Sequence, residues 1–583
     1  MHNGYDQEGT NLSNLSSRRW QWTLAMSLLI PLYFGGVSIY HAFSHPYIVQ
    51  DDARLHIVWL QRLIDPQLFP SDVIADYYTS LQALGFRALY GAIAHLGMEP
   101  LVAAKVLPLL LALVATVYLV RLTALLWPHP LAGLLVALVF NQNIWLKDDL
   151  ISATPRAFIY PLFAAFLYYL VRRSRLPCLA VMALQGLVYP QLLLVSLATL
   201  TVQLARGRLY PTTPRGDGRL WLMGLGVTVA IALFFSQSLS QEWGDLATAA
   251  QMQAMREFGP DGRRPYFGVS PLSFWFRGAS GLRFPLFPPI LWAAVGLPFF
   301  LNIGNRKDKR SGLQIPNISP AAIVLADVLL GSLGLFILAH GLFPRLYLPS
   351  RYTFYSSRMV MAIAAGLVLT GLLEAGWQWW RTRRADRLSL LHRFGMALTG
   401  LFAIAVVTLP AIPPLFLDTH GWIVGTHPGL YRFLAAQPPD WVIASLAPEA
   451  DNLPAFAQRS VLVNEEVAIA YHPRFYRQMT ERMAALIALH YSPDLATVQS
   501  VIRRYSIDAI LIERQFATPD YLARQTWLTH SVIQPAVAEA IAQLHRGNSP
   551  ALAATLSRCS AYSEENLILL SGLCIEEVTS SQR

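Results

Sequence analysis

Two pairs of adjacent carboxylates, Asp51-Asp52 and Asp148-Asp149, stand in polar segments between long apolar runs. A carboxylate so placed can take the proton of an attacking hydroxyl. Two such pairs brought together can also help to hold a divalent ion such as Mg or Mn. Three arginines, Arg351, Arg358 and Arg156, occupy comparable segments. A guanidinium holds two phosphate oxygens at once and can stabilise charge growing on a departing phosphate. Each residue also has a plainer reading. Asp51 and Asp52 precede a helical pattern and would suit its cap and dipole. Asp148 and Asp149 would suit a solvated loop, and Arg351 and Arg358 would suit anchorage to lipid head groups. His56 follows the first pair at helical spacing and could orient a carboxylate.

The segments that carry these residues have their own pattern. The first opens with Tyr47-Ile48-Val49-Gln50-Asp51-Asp52-Ala53-Arg54-Leu55-His56 and continues as an amphipathic helix, with Ala53, Ile57, Leu60 and Ile64 on one face. A Pro-punctuated region with Asp65, Asp72 and Asp76 follows. The second segment is short and contains Lys147-Asp148-Asp149 and Thr154-Pro155-Arg156. The third runs from Phe343-Pro344-Arg345 through Arg351 to Arg358, and a longer stretch at 239–285 adds Glu242, Asp245, Glu257, Arg263 and Arg264.

What must position them is a membrane-spanning bundle. Of 583 residues, 54% are hydrophobic and only 14% charged, with a mean hydropathy of +0.39. A water-facing surface on a chain this long needs nearer a quarter charged residues. The apolar residues gather into runs able to cross about 30 Å of hydrocarbon as helices. About eleven spans are expected, at 22–40, 104–121, 131–146, 157–171, 177–188, 190–205, 220–238, 286–303, 320–341, 358–377 and 394–416. The formal net charge of +10 is no nucleic-acid signal. Its basic residues cluster in short connections, such as Arg172-Arg173 and Arg306-Lys307, where they set orientation. Placing those connections in the cytoplasm puts the N-terminus inside and the C-terminus outside. Residues 80–97, with Arg87 and His95, must then lie along the outer interface rather than cross.

The resulting organisation is a cytoplasmic tail at 1–21, a transmembrane domain at 22–417 and an extracytoplasmic domain at 418–583. Outer loops fall at 42–103, 147–156, 239–285 and 342–357. From about 418 the composition changes. Short β-type runs at 441–444, 460–463 and 507–512 alternate with helical stretches at 475–490 and 494–504, which predicts a small α/β domain with a partly parallel sheet. Cys559 and Cys574 both lie there and could pair in an oxidising compartment. Glu465-Glu466 and Tyr471-His472-Pro473-Arg474 would suit a sugar or an ordinary surface equally. No Gly-rich phosphate loop, metal-spaced Cys/His set or nucleophile triad is present. Asp327, inside an apolar run, is either functional or a helix-packing group.

An acid pair just after the first span, interfacial helices, a second acidic loop, an Arg-bearing late loop and a C-terminal outer domain together resemble the GT-C superfamily of membrane glycosyltransferases. The plan is similar to that of bacterial protein mannosyltransferases and lipid A aminoarabinose transferases. The resemblance covers the general plan from about residue 20 to 583. It implies a GT-C-like bundle and sugar transfer from a polyprenyl-phosphate donor to a glycan, lipid or protein acceptor at the cell envelope. Asp51 or Asp52 would be the base, with Asp148 or Asp149 assisting at the acceptor or a metal. Arg351, Arg358 and Arg156 would face the lipid phosphate, and a single displacement would invert the anomeric centre. A transporter would instead carry internal repeats; spans are broken near Tyr189-Pro190 and at 410–414, but no repeat is seen. A non-catalytic assembly protein for envelope glycans would keep the helices without needing the acids.

Overall fold

The computed structural model describes residues 17–210, 216–305, 318–383 and 421–578, with a few positions between 398 and 412. Among the described residues, six helices are long and apolar enough to cross a membrane: Arg18–Ala42, Pro100–Leu126, Pro190–Leu209, Gly218–Phe235, Pro320–Gly341 and Ser350–Gln378. Four of the expected spans are shorter apolar helices, Pro130–Ile144, Pro155–Val171, Arg175–Val188 and Pro289–Leu301. At 1.5 Å per residue, fifteen residues rise only about 22 Å. Among the described residues, length and composition thus mark six of the eleven expected spans as long enough to cross. The span at 394–416 lies largely outside the described residues, as do Arg306 and Lys307.

Prolines set several boundaries. Pro100, Pro130 and Pro190 each open a helix at its first turn, where the missing N–H would have had no partner. Pro190 thereby separates Arg175–Val188 from Pro190–Leu209. Ser350–Arg383 is the central helix, packed against Pro130–Ile144, Val324–Gly341 and the turn at Pro289–Gly296. Gly366 allows this approach, since a Cβ there would stand 2.6 Å from Val136 Cα. Asp327 is fully buried and holds Arg206 through two bonds of 2.8 and 2.9 Å. This joins two neighbouring helices and gives the acid a packing partner.

The segment after the first helix does not cross. Val73–Ser80 and Leu84–His95 are helices of 8 and 12 residues, too short for the hydrocarbon core. Ahead of them, strand β1 (Ile48–Gln50) pairs antiparallel with β2 (Trp422–Val424), tying the first loop to the C-terminal region. The helix Asp51–His56 follows at once, and then a 3₁₀ segment, Val58–Leu63. Ala53, Ile57 and Leu60 are buried as their spacing predicts, whereas Ile64 is exposed.

The C-terminal region carries a five-stranded sheet. Its strands are β3 (Val442–Ser445), β4 (Ser460–Val461), β5 (Ala509–Glu513), β6 (Ser560–Glu564) and β7 (Leu567–Ser571), in the order β4-β3-β5-β7-β6. β3 is parallel to β4 and β5, and β7 is antiparallel to β5 and β6. Pro473–Tyr491 and Leu495–Tyr505 are the expected helices. Cys559 and Cys574 form a disulfide that flanks the β6–β7 hairpin.

Candidate functional site

The short helix Asp51–His56 is capped by Gln50, whose side chain accepts from Ala53 N at 3.1 Å. The two aspartates are thus its first helical residues and are not needed as caps. Successive helical residues diverge by about 100°, and the pair separates accordingly. Asp51 is half-exposed and bonds Arg54 at 2.8 Å. Arg54 also reaches Asn452 at 2.7 Å and Glu466 at 3.5 Å, and Glu466 takes Arg263 at 3.0 Å. Asp51 therefore joins a polar seam between the first loop, the 239–285 stretch and the C-terminal region.

Asp52 turns the other way and ion-pairs with Arg156. Arg156 sits in a 3₁₀ turn, Pro155–Phe158, directly after the helix Asp148–Ile151. Its guanidinium lies 3.5 Å from Asp149 and 3.9 Å from Asp148. Asp149 is buried and accepts from Arg358 at 2.8 Å. Arg358 is buried too, donates to the Tyr160 hydroxyl at 3.1 Å and lies over the Phe354 ring at 4.0 Å. Arg351, about two turns earlier on the same helix face, donates to Tyr355 at 2.7 Å, and the Tyr355 hydroxyl lies 3.5 Å from Asp149. Six of the seven singled-out residues, all but Asp51, thus form one linked cluster.

The cluster borders a cavity of about 1260 Å³. Asp52, Arg156 and Arg351 line it, whereas Arg358 and Asp149 stand behind its wall. Three kinds of surface meet there. One is charged and adds Arg264 and Arg345; one is aromatic and polar, with Tyr77, Tyr78, Tyr471 and His472; one is apolar, with Leu193, Leu194, Ile231 and Phe235 from two membrane-type helices. The Tyr77 hydroxyl and His472 Nδ1 share a hydrogen bond of 2.8 Å. Burial, then Arg264 and Arg351, push the His56 imidazole down to about 4, so the ring is neutral near pH 7. Burial and the neighbouring Asp149 raise the Asp148 carboxyl, which favours its protonated form relative to an isolated aspartate.

The expectation of a divalent ion does not fit this arrangement. A divalent cation held by these acids needs their oxygens to converge on one point at roughly 2.0–2.6 Å, with water or substrate oxygens completing its shell. Among the described residues, no group of three or more His, Cys, Asp or Glu is disposed to hold one. The Arg156 guanidinium instead lies among Asp52, Asp148 and Asp149.

Sequence reasoning did not single out Tyr160, which looks like an ordinary aromatic within an apolar run, or Tyr355, one of several aromatics in the third polar segment. Arg264 and Arg345 carried a signal, as cations in polar segments, but neither received a role. Tyr471 and His472 were noted as sugar-compatible and do line the cavity.

No family model matches the chain, and no curated protein matches it. Among solved structures, it is similar to the Archaeoglobus fulgidus oligosaccharyltransferase tethered to an acceptor peptide containing an NVT sequon. That match has a TM-score of 0.51 at 11% identity and covers 90% of this chain and 72% of the other. The same archaeal enzyme in complex with an inhibitory peptide and a dolichol-phosphate gives 0.49 at 12% identity, covering 89% and 72%. An arabinofuranosyltransferase from Mycobacteria gives 0.46 at 13% identity, covering 85% of this chain and 35% of the other. At such identities the first likeness speaks to fold alone.

Proposed function

We propose that this chain is a membrane glycosyltransferase that moves a sugar from a polyprenyl-phosphate donor to an acceptor hydroxyl. The observation that carries the reading is the cavity itself, lined by a carboxylate and several guanidiniums and also by apolar side chains of membrane-type helices. A lipid phosphate presents that same polarity, a charged head on an apolar chain. The fold likeness supports the reading, because the archaeal protein it rests on is named as an oligosaccharyltransferase.

In this reading Asp52 accepts the proton of the acceptor hydroxyl as its oxygen bonds to the anomeric carbon. The carbon–oxygen bond to phosphate breaks, and its electron pair leaves with the lipid phosphate. Attack from the face opposite the leaving group inverts the anomeric centre. Arg351, Arg264 and Arg345 supply fixed positive charge where the phosphate gains charge. Arg358 and Asp149 hold the site from behind, since both are buried and bonded to each other. Arg156 ion-pairs with Asp52 and holds it in place. Asp51 belongs to the polar seam and not to the chemistry. We place the C-terminal region on the non-cytoplasmic face. The Cys559–Cys574 disulfide supports that side, because such bonds persist in oxidising compartments. The basic connections between spans point to the same side.

The test compares Asp52→Asn with Asp51→Asn in lipid nanodiscs, using polyprenyl-phosphate-linked mannose, glucose and arabinofuranose as donors. Removing a general base costs about 10²–10⁴-fold, so Asp52→Asn loses transfer by that factor while Asp51→Asn stays within a few-fold of the parent. Full transfer in a folded Asp52→Asn protein would sink the assignment.

A further inference from the structure

Three carboxylates from two separate segments surround one guanidinium. Asp52 comes from the first loop's short helix, and Asp148 and Asp149 from the helix just before Arg156. Asp52 and Asp148 face one terminal nitrogen of Arg156, and Asp149 faces the other at 3.5 Å. Asp149 is also bonded to a second buried cation, Arg358. Acids that converge from different elements usually imply a metal ion between them, because the ion offsets their mutual repulsion. Here that position already holds a positive charge with donors in a planar fork, the geometry that matches carboxylate oxygens.

We propose that the Arg156 guanidinium takes the place of a divalent cation in this site, so that transfer proceeds without a bound metal. Its consequence for catalysis rests on the glycosyl-transfer reading, but the substitution itself is a statement about charge and space. A divalent ion close enough to use oxygens of Asp52 and Asp149 together would meet the guanidinium that already bridges them, and two like charges would share one small volume. Loss of the guanidinium frees the carboxylates and removes that repulsion. Arg156 is a positioning residue in this scheme. It acts through Asp52, fixing the position of that carboxylate relative to the rest of the cluster. A lysine keeps the charge but not the fork, and so restores only part of this function.

The experiment has a binding arm and a transfer arm, so that failure of this inference and failure of the transfer reading are distinguishable. In the first, Mn²⁺ is titrated onto purified protein in nanodiscs and followed by electron paramagnetic resonance, which requires no substrate. The parent protein is expected to bind none at millimolar Mn²⁺. Arg156→Ala is expected to gain one site, which disappears again when Asp52→Asn is added. Stoichiometric binding by the parent that Asp52→Asn abolishes overturns the proposal, as does a folded Arg156→Ala protein that gains no site. In the second arm, parental transfer is expected to be equal within two-fold in EDTA and in Mn²⁺. Arg156→Ala is expected to fall about 10²–10³-fold, the cost of losing one preorganised charge partner, and to recover in part with millimolar guanidinium or Mn²⁺. Arg156→Lys, which retains a cation if the alanine variant does not fold, should fall less. Abolition of parental transfer by EDTA, with recovery on adding Mn²⁺, overturns the proposal. If no donor is transferred under any condition, the transfer reading fails while the binding arm still decides the substitution.

Discussion

Breaking the Asp149–Arg358 pair tests whether the wall behind the cavity is an interlocked unit. Both side chains are almost fully buried, at 4% and 2% exposure, with nitrogen and oxygen 2.8 Å apart. At an effective dielectric of 20 their attraction is about 6 kcal/mol, offset in large part by the desolvation of two ions. Removing one partner leaves the other charge buried, which costs about 3–5 kcal/mol. Arg358→Met and Asp149→Leu should therefore each destabilise by that amount. The double variant replaces both ions with apolar groups and should be near neutral, because buried pairs exchanged for packed hydrophobics often are. Unfolding by SDS titration from mixed micelles supplies the four corners of the cycle. Independent sites add to within roughly 0.5 kcal/mol. A double variant that loses the sum of the two singles would refute the reasoning, since the pair would then be uncoupled. Transfer gives a second readout: the double variant should regain stability yet remain impaired, because Arg156 has lost its Asp149 partner at 3.5 Å.

Three further outcomes rest on separate parts of the molecule. Gly366→Ala should destabilise by about 1–3 kcal/mol through overpacking, because the added carbon meets the Val136 backbone; Gly376→Ala, which meets nothing within 4 Å, should be neutral or slightly stabilising in the same thermal assay. Removing the Cys559–Cys574 disulfide, which closes a separation of 15 residues, should cost about 3 kcal/mol, read as a lower melting temperature of Cys559→Ala/Cys574→Ala or of reduced protein. His56 protonates near pH 6.5 when unfolded but only near pH 4 when folded. The unfolded chain thus binds more protons between those values, and stability falls as pH drops through that window. His56→Gln should flatten this slope, and an unchanged pH profile would show that the ring is not held neutral.

Composition and local pattern made the helical bundle, the strands β3, β4 and β5, and the two long C-terminal helices legible, because each is written in a contiguous run. What stayed hidden depends on partners distant in sequence. β1 pairs with β2 across more than 370 residues through three residues each, too short for a signal. β6 is a largely exposed edge strand without an apolar run, and so left no trace. Asp327 looked isolated until Arg206, 121 residues earlier, closed on it. Within the site, sequence identified the acid pair but could not choose between Asp51 and Asp52, since helix phase decides which one faces the cavity. The charge balance carries the synthesis one step further. Asp52, Asp148 and Asp149 against Arg156, Arg351 and Arg358 sum to zero at full ionisation, and Arg156 and Arg358 are engaged with carboxylates. A cluster so balanced has little net attraction for an anionic phosphate. The surplus must come from outside it, and the cations that line the same cavity are Arg264 and Arg345. In the proposed transfer, two arginines that sequence analysis left without a role, Arg264 and Arg345, therefore supply the excess positive charge that a donor phosphate would meet.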